Sequence, residues 1–532
     1  MADHAISNVG QATGSSNAAS QTSAERVRPY AYYALFLLVA ANFFNIVDRQ
    51  ILSIVGHHLQ LDLKLSDAQL GFLMGTAFAV FYGVVGIAMG RIADALPRTR
   101  LMALGLAVWS AMTALGGLAT NFAGVAAARL GTGAGEATAN PCSHSLLSDY
   151  FPARHRSAVL ATYLVGTHVG FAGSLILGGL ILQNWETLCT LVPGNACGLA
   201  SWRAALLVVG LPGLLLSLLI ATLREPFRPM PAQRLSTARL VISEMSAAVP
   251  PFTLLNLFQV GGYTAVVRNI LFAAALAAGA LGVTFLVGDW PQWVAVAVGI
   301  YSVTTWASII RRRDRPLFSL TFGCTTFALM TAGAAFLGGF TATVQVWAPA
   351  YAMRVLGASP GTTGVSIGLT TAVAASISVL LGGYAADRWK RHDRRAPIWI
   401  CLIGLFAPVP ALLVMLQAQD LKTFLMAYSM FVFLGMIWAG GISALVQDLV
   451  LPRMRGTAAA AFALISILAV SGVGPYWVGK ISTMTGSLAT GFYSLLAMVP
   501  VAAILLFAAA RRLPAETAET RRSRAVAAGE TI

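Results

Sequence analysis

The chain has 532 residues, 57% of them hydrophobic and only 10% charged, with 51 glycines and a net charge of +15. Soluble domains carry about 25% charged residues, so the composition excludes an ordinary soluble enzyme and specifies an integral membrane protein. Its apolar blocks are uniformly hydrophobic and about twice as long as the roughly 10-residue alternating segments of a membrane barrel, which leaves an all-α bundle.

Residues 1–24 are rich in Ser, Ala, Asn and Gln and contain no Lys or Arg. They lack the charged region and short apolar core of a cleavable signal, so 1–29 is expected to be a disordered tail, with the first span as an uncleaved insertion signal. A span needs about 20 apolar residues. Candidates lie near 30–55, 69–90, 101–120, 122–148, 156–182 and 203–223, then 268–288 and 291–310, then 316–340, 362–385, 396–417, 420–446, 457–480 and 489–511. Fourteen spans are thus expected. A second tail, 512–532, is expected to be disordered, its Arg521, Arg522 and Arg524 suiting an anionic membrane surface.

With both termini cytoplasmic, 28 of the 35 Lys and Arg fall on inner loops, tails or helix edges. Lys64, Arg203, Arg354, Lys422 and Lys480 fall outside, and Arg49 and Arg129 lie within the membrane. This positive-inside pattern implies a bacterial-type inner membrane and explains the basic charge without a nucleic-acid partner.

Two loop patterns recur. Gly90-Arg91-Ile92-Ala93-Asp94, followed by Arg98, returns as Gly383-Tyr384-Ala385-Ala386-Asp387, followed by Arg391. Asp149, Arg154 and Arg156 return at the same spacing as Asp448, Arg453 and Arg455. Six helices therefore repeat in one orientation, 30–223 and 316–511, as parallel halves related by an axis along the membrane normal. The segment between them, 224–315, carries an inserted hairpin (268–310) flanked at both ends by arginines. An even insertion keeps the second half in register with the first, and the hairpin is expected on the outside of the bundle.

These loops resemble the signature of the major facilitator superfamily. Within it, Asn45-Ile46-Val47-Asp48-Arg49-Gln50, Arg129 with Gly135-Glu136-Ala137, and Ser148-Asp149-Tyr150-Phe151-Pro152 are similar to the spinster-like branch. The resemblance implies two six-helix bundles around a central cavity lined by the first and fourth helices. It also implies an amphipathic cargo with an anionic head, such as a lysolipid or sphingoid-type lipid. A drug or organic-anion carrier is the nearest alternative, and a passive lipid scramblase a more distant one.

Asp48 and Glu136 are the only acids well inside the apolar spans, and ionisable groups at that depth mark functional sites by default. Burial opposes ionisation of a carboxyl and a neighbouring Arg favours it, so an acid between the two can take up and release a proton. Asp48 and Glu136 are the candidates for proton coupling. Arg129, spaced to return to the face of Glu136 about 10 Å along the helix, is expected to alternate between an acid and the substrate head. Arg49 follows Asp48 and so points about 100° away from it, a weaker candidate for substrate contact. The alternative is a salt-bridge network that only fixes packing. Phe44, Tyr82, Tyr163, Trp347, Tyr351 and Trp438 are candidates for an apolar cavity wall. Asp94, Arg98, Asp149, Arg154, Arg156, Asp387, Arg391, Asp448, Arg453 and Arg455 are candidates for an inner latch that favours the outward-open state.

Gly131, Gly133 and Gly135 lie inside a span, where close helix packing explains them better than a nucleotide loop, which must follow a strand. Cys189 and Cys197 share one outer loop, where an oxidising compartment permits a disulfide. No metal spacing, catalytic triad or Walker loop is present. The expectation is a secondary transporter without a cofactor, driven by a proton gradient, acting as a monomer on a small-molecule or lipid-like substrate among membrane lipids.

Overall fold

The computed structural model describes residues 29–152, 155–191, 196–227, 241–242, 245–246, 249–468 and 472–530. The expected N-terminal tail, Arg154 and most of the linker before the hairpin lie outside them.

The first half contains α1 (Pro29–Leu63), α2 (Asp67–Met74), α3 (Thr76–Ala95), α4 (Arg98–Leu118), α5 (Phe122–Glu136), α6 (Ala139–Tyr150), α7 (Arg156–Leu188) and α8 (Ser201–Ala221). The hairpin is α9 (Thr253–Val287) and α10 (Trp290–Arg313), followed by the short α11 (Arg315–Leu320). The second half contains α12 (Thr325–Val355), α13 (Pro360–Lys390), α14 (Ala396–Phe406), α15 (Pro408–Gln417), α16 (Leu421–Gly435), α17 (Ala439–Asp448), α18 (Arg455–Ser466), α19 (Val473–Thr485), α20 (Leu488–Ser494) and α21 (Met498–Arg512). A final helix, α22, spans Ala518–Ala527.

Several spans are broken where the local sequence cannot continue a helix. α2 starts on a capping box in which Ser66 and Gln69 bond each other's backbone N–H groups, and it ends at Gly75 (φ −118°, ψ −81°). The fourth span divides at Ala137–Thr138, and α14 gives way to α15 at Pro408. Among the described residues, twelve helices are long and apolar enough to cross a membrane. The expected fourth and thirteenth spans are not among them. The fourth is split into pieces of 15 and 12 residues and carries Arg129 and Glu136. The thirteenth is divided between α18 and α19.

α1 packs on α7 and α8, and α4 packs on α8 and α5, closing the first half. In the second half α12 packs on α21 and α13 on α16. The halves meet along two seams, α7 with α13 and α2 with α19. Both seams rest on bare backbone. A Cβ on Gly71 would lie 2.7 Å from the Pro475 carbonyl carbon and 2.8 Å from Tyr476 Cα.

The hairpin departs from expectation at its start. α9 begins at Thr253, fifteen residues earlier than 268, because the chain passes Gly262 in a left-handed conformation (φ 65°, ψ −169°) and resumes the helix. The Gly261-Gly262 pair reads as a stop in sequence but is only a kink in three dimensions. α10 packs on α3, and at the turn Lys480 Nζ donates to Asp289 Oδ2 (2.7 Å) and Val287 O (2.6 Å). The hairpin therefore lies outside the bundle while touching both halves.

The C-terminal tail is not disordered in its described part. Glu516 is 7% exposed and accepts from Arg524 and Thr326, Ala525 is fully buried, and α22 packs on α11. Tertiary burial orders a segment whose composition alone suggested otherwise.

Candidate functional site

The site is built where α1, the α2–α3 break and the fourth span meet. Asp48 and Arg49 are neighbours in α1 and so point in different directions. Asp48 is completely buried, with no charged group bonded to either carboxylate oxygen and only the Thr113 hydroxyl and Trp109 indole turned toward it. Arg49 turns toward the fourth span, where Nη2 and Nε donate to Glu136 Oε2 at 2.8 and 3.2 Å. Its guanidinium lies over the rings of Phe78 (4.7 Å) and Tyr82 (4.9 Å). The Arg49 side chain keeps 24% of its surface open, whereas Glu136 is fully buried.

The two arginines exchange the parts expected of them. Arg129 is 5% exposed and touches no carboxylate oxygen. It donates to three backbone carbonyls, Asp48 O (3.0 Å), Arg49 O (3.3 Å) and Leu73 O (3.3 Å). The Leu73 carbonyl lies one turn before Ala77, just beyond the break at Gly75. Arg129 thus staples α5 to α1 and to the broken second span, and Arg49 holds the acid. Sequence spacing showed that both arginines were deep, but which one met Glu136 depended on helix rotation. The glycine stripe supplies the close approach: a Cβ on Gly133 would lie 2.6 Å from Phe78 O, and one on Gly135 2.7 Å from Trp109 N.

Tyr82, Asn140 and Tyr163 continue the site. Asn140 donates to Tyr82 Oη (3.2 Å) and accepts from Tyr163 Oη (3.3 Å). Tyr82 and Phe44 are half-buried and Asn140 is exposed. Trp438, half-buried in the second half, stands at the break between α16 and α17. Trp347 and Tyr351 do not join them. Both are buried in the second half, with Trp347 Nε1 donating to Pro475 O (3.0 Å) and Tyr351 Oη to Leu416 O (2.9 Å). Their polar atoms are committed to packing rather than to a cavity wall.

The loop residues pair within a half or with the linker and tail beside it. Buried Arg98 reaches Asp149 (2.6 Å) and Glu225 (2.8 Å), and Arg156 donates to the Ser148 carbonyl (3.0 Å). Asp448 pairs with Lys390. Arg453 binds Asp314 (3.0 Å) and Glu530 rather than Asp448. Asp387, Arg391 and Arg455 are exposed at helix ends, and the Asp94 side chain and Arg154 lie outside the described residues. Among the described residues, no latch pair joins one half to the other.

The cross-half bonds lie toward the opposite end. Arg354, at the end of α12, donates to Asp67 Oδ1 (2.7 Å), His57 Nδ1 (3.0 Å) and Gln60. Asp67 also accepts from Gln60 (2.7 Å) and Ser482 (2.6 Å). On the other seam Gln183 accepts from the Gly361 N–H (2.9 Å). Sequence reading counted Arg354 only as a topology charge; its partners stand 287 and 294 positions away, and no local pattern announces them. Cys189 and Cys197, also at this end, are bonded, with Cα atoms 4.9 Å apart.

Comparison with known proteins agrees with this architecture. The family profile of the Major Facilitator Superfamily matches residues 38–475. An MFS-type efflux pump of Mycolicibacterium smegmatis is 26% identical over 452 residues, 85% of this chain and 84% of that protein. Protein spinster homolog 1 of Xenopus tropicalis is 24% identical over 84% of this chain and 72% of its own length. The crystal structure of a bacterial homolog of the human lysosomal transporter spinster, inward-facing and unoccupied, superposes with a TM-score of 0.69 at 22% identity, covering 92% of this chain and 99% of that one. With two six-helix halves, a charged first helix and this match across most of its length, the chain belongs to the Major Facilitator Superfamily and is similar to its spinster members.

Proposed function

We propose that this transporter is proton-coupled and moves an amphipathic molecule with an anionic head, lysolipid-like or sphingoid-like, by alternating access across an inner membrane. The observation that carries the reading is the contrast between the two acids. Asp48 is buried with no cation bonded to either oxygen, and an ionised carboxylate left so is expensive. Glu136 is held by an arginine that keeps part of its surface open. A substrate anion arriving at Arg49 competes with Glu136 for the guanidinium, whose planar fork suits carboxylate or phosphate. Released from Arg49, Glu136 takes up a proton, and Asp48 is the second carrier. Arg129 holds the frame in which this exchange occurs.

Positive-inside topology puts the termini in the cytoplasm and the Arg354–Asp67 seal on the outside. On this reading the transporter is open inward, the state in which the similar bacterial structure was solved. A cross-half inner latch would then belong to the opposite state. The efflux-pump relative supports a second reading, export of a drug or organic anion through the same site.

Proteoliposomes test both. With an imposed pH gradient and a lysophospholipid or an anionic dye as cargo, Asp48→Asn and Glu136→Gln should each abolish gradient-driven accumulation. Full accumulation in both variants overturns the coupling scheme. Cargo equilibration that persists without a gradient and in Asp48→Asn indicates scrambling instead.

A further inference from the structure

The inserted hairpin carries a second site, away from the charged cluster. A cavity of about 940 Å³ lies between α9, α10, α11 and the end of α22. Arg268, Arg311, Arg312 and Arg315 all line it. Thr264 adds a hydroxyl, the Thr304 and Ser308 hydroxyls being already donated to helix carbonyls, and Phe272 and Phe318 form an apolar wall.

Three features set this cluster apart from charges that merely orient the hairpin. First, it is a concavity. The helix breaks at Gly262, and Leu257 before the break and Thr264, Ala265 and Arg268 after it line the cavity. Second, its arginines are not committed. Among the described residues no carboxylate lies within ion-pair distance of any of the four, whereas their neighbour Arg313 already donates to Asn256 (2.8 Å). Third, the frame around it is rigid. Tyr301 Oη donates to Asn269 Oδ1 (2.6 Å), Asn269 Nδ2 donates to Thr305 (3.0 Å), and Arg311 lies over the Phe318 ring (5.6 Å).

We propose that this cavity binds a phosphate-bearing anion, with the headgroup of an anionic phospholipid as the source that fits best. Four arginines supply the charge complement and the N–H donors for the headgroup oxygens. The outward surface of α9 offers the acyl chains a continuous apolar path. It is the least covered of the candidate spans, only 6% of its most apolar window being buried, with Ile270, Leu271 and Phe285 exposed along it. Ala527 and Ala528 of the tail close the cavity, so an occupied site ties the hairpin to the second half. The site is independent of which cargo the transporter carries.

The test uses the purified full chain, native mass spectrometry and thermal shift, with phosphatidylglycerol, phosphatidylcholine and inorganic phosphate as separate probes. The wild type should retain phosphatidylglycerol over phosphatidylcholine. Each arginine near an anionic headgroup contributes about 1 kcal/mol, so Arg268→Gln with Arg312→Gln should weaken retention by roughly 30-fold and Arg315→Gln alone by roughly 5-fold. Arg511→Gln with Arg512→Gln, exposed at the end of α21, should leave it unchanged. Stabilisation by phosphatidylglycerol alone identifies a lipid headgroup, and equal stabilisation by inorganic phosphate identifies a free phosphate in the same site. Equal retention of both lipids, or no change in the 268/312 or the 315 variant, overturns the proposal.

Discussion

Gly71→Ala is a direct probe of the seam between the halves. The added methyl would lie 2.7 Å from the Pro475 carbonyl carbon and 2.8 Å from Tyr476 Cα, where carbon atoms ordinarily rest about 3.5–4.0 Å apart. Both obstacles are backbone, so no side chain can rotate aside, and α2 and α19 must separate by roughly 1 Å. The nearest atoms the methyl meets belong to the opposite half, so the cost falls on the closed seam rather than on either bundle. Overpacking of this kind costs about 1–3 kcal/mol, which moves a two-state equilibrium by roughly 5- to 150-fold. Spin labels at Leu61 and Met484, 66% and 70% exposed at the sealed end of opposite halves, report the opening as a longer distance distribution. Gly86→Ala, whose Cβ meets nothing within 4 Å, is the control. A Gly71→Ala distribution that superimposes on the parent would refute the claim that backbone contact on this seam sets the closed state.

Two further outcomes follow from the structure. Arg129→Lys should lower the thermal midpoint in detergent by the equivalent of about 1.5–3 kcal/mol, since one ammonium cannot span three carbonyls and each charged hydrogen bond contributes on that scale. Arg49→Lys should leave the midpoint little changed and weaken transport. The reverse pattern would exchange the two roles. At the tail, burial acts to raise the Asp314 carboxyl, but hydrogen bonds from Arg453 and the Leu317 N–H outweigh it and hold it below its ordinary value. The bond from Arg453 likewise holds Glu530 low. Both depressed carboxyls contribute docking of α22 that is present above their ordinary values near pH 4 and lost as the pH falls through the lower folded values. Protection of 518–530, taken relative to the intrinsic exchange rate at each pH, should therefore be unchanged from pH 8 to 5 and fall below pH 4. In Arg453→Gln exchange should be fast already at pH 7, and protection there would show that the ion pairs do not hold the tail.

Much of this protein was legible in its sequence. Long apolar runs at bilayer length, arginines gathered at one end and the paired Asp-Arg loops specify a membrane bundle of two parallel halves, because spans and topology follow from hydropathy and charge along the chain. The same economy exposes Asp48, Arg49, Arg129 and Glu136, since charge at that depth stands out against its apolar context. Partnership was not legible. Arg49 and Arg129 are both deep bases, and only helix rotation placed one on Glu136 and the other on three carbonyls. Trp347 and Tyr351 read as cavity aromatics, yet tertiary packing buried them. Arg354 and Asp67 lie 287 residues apart, and Arg268 meets Arg315 across a hairpin whose first helix bends at Gly262. Composition and periodicity are local properties of a chain. Which groups face each other is decided by how rigid helices rotate and cross, and that appears only when they are packed.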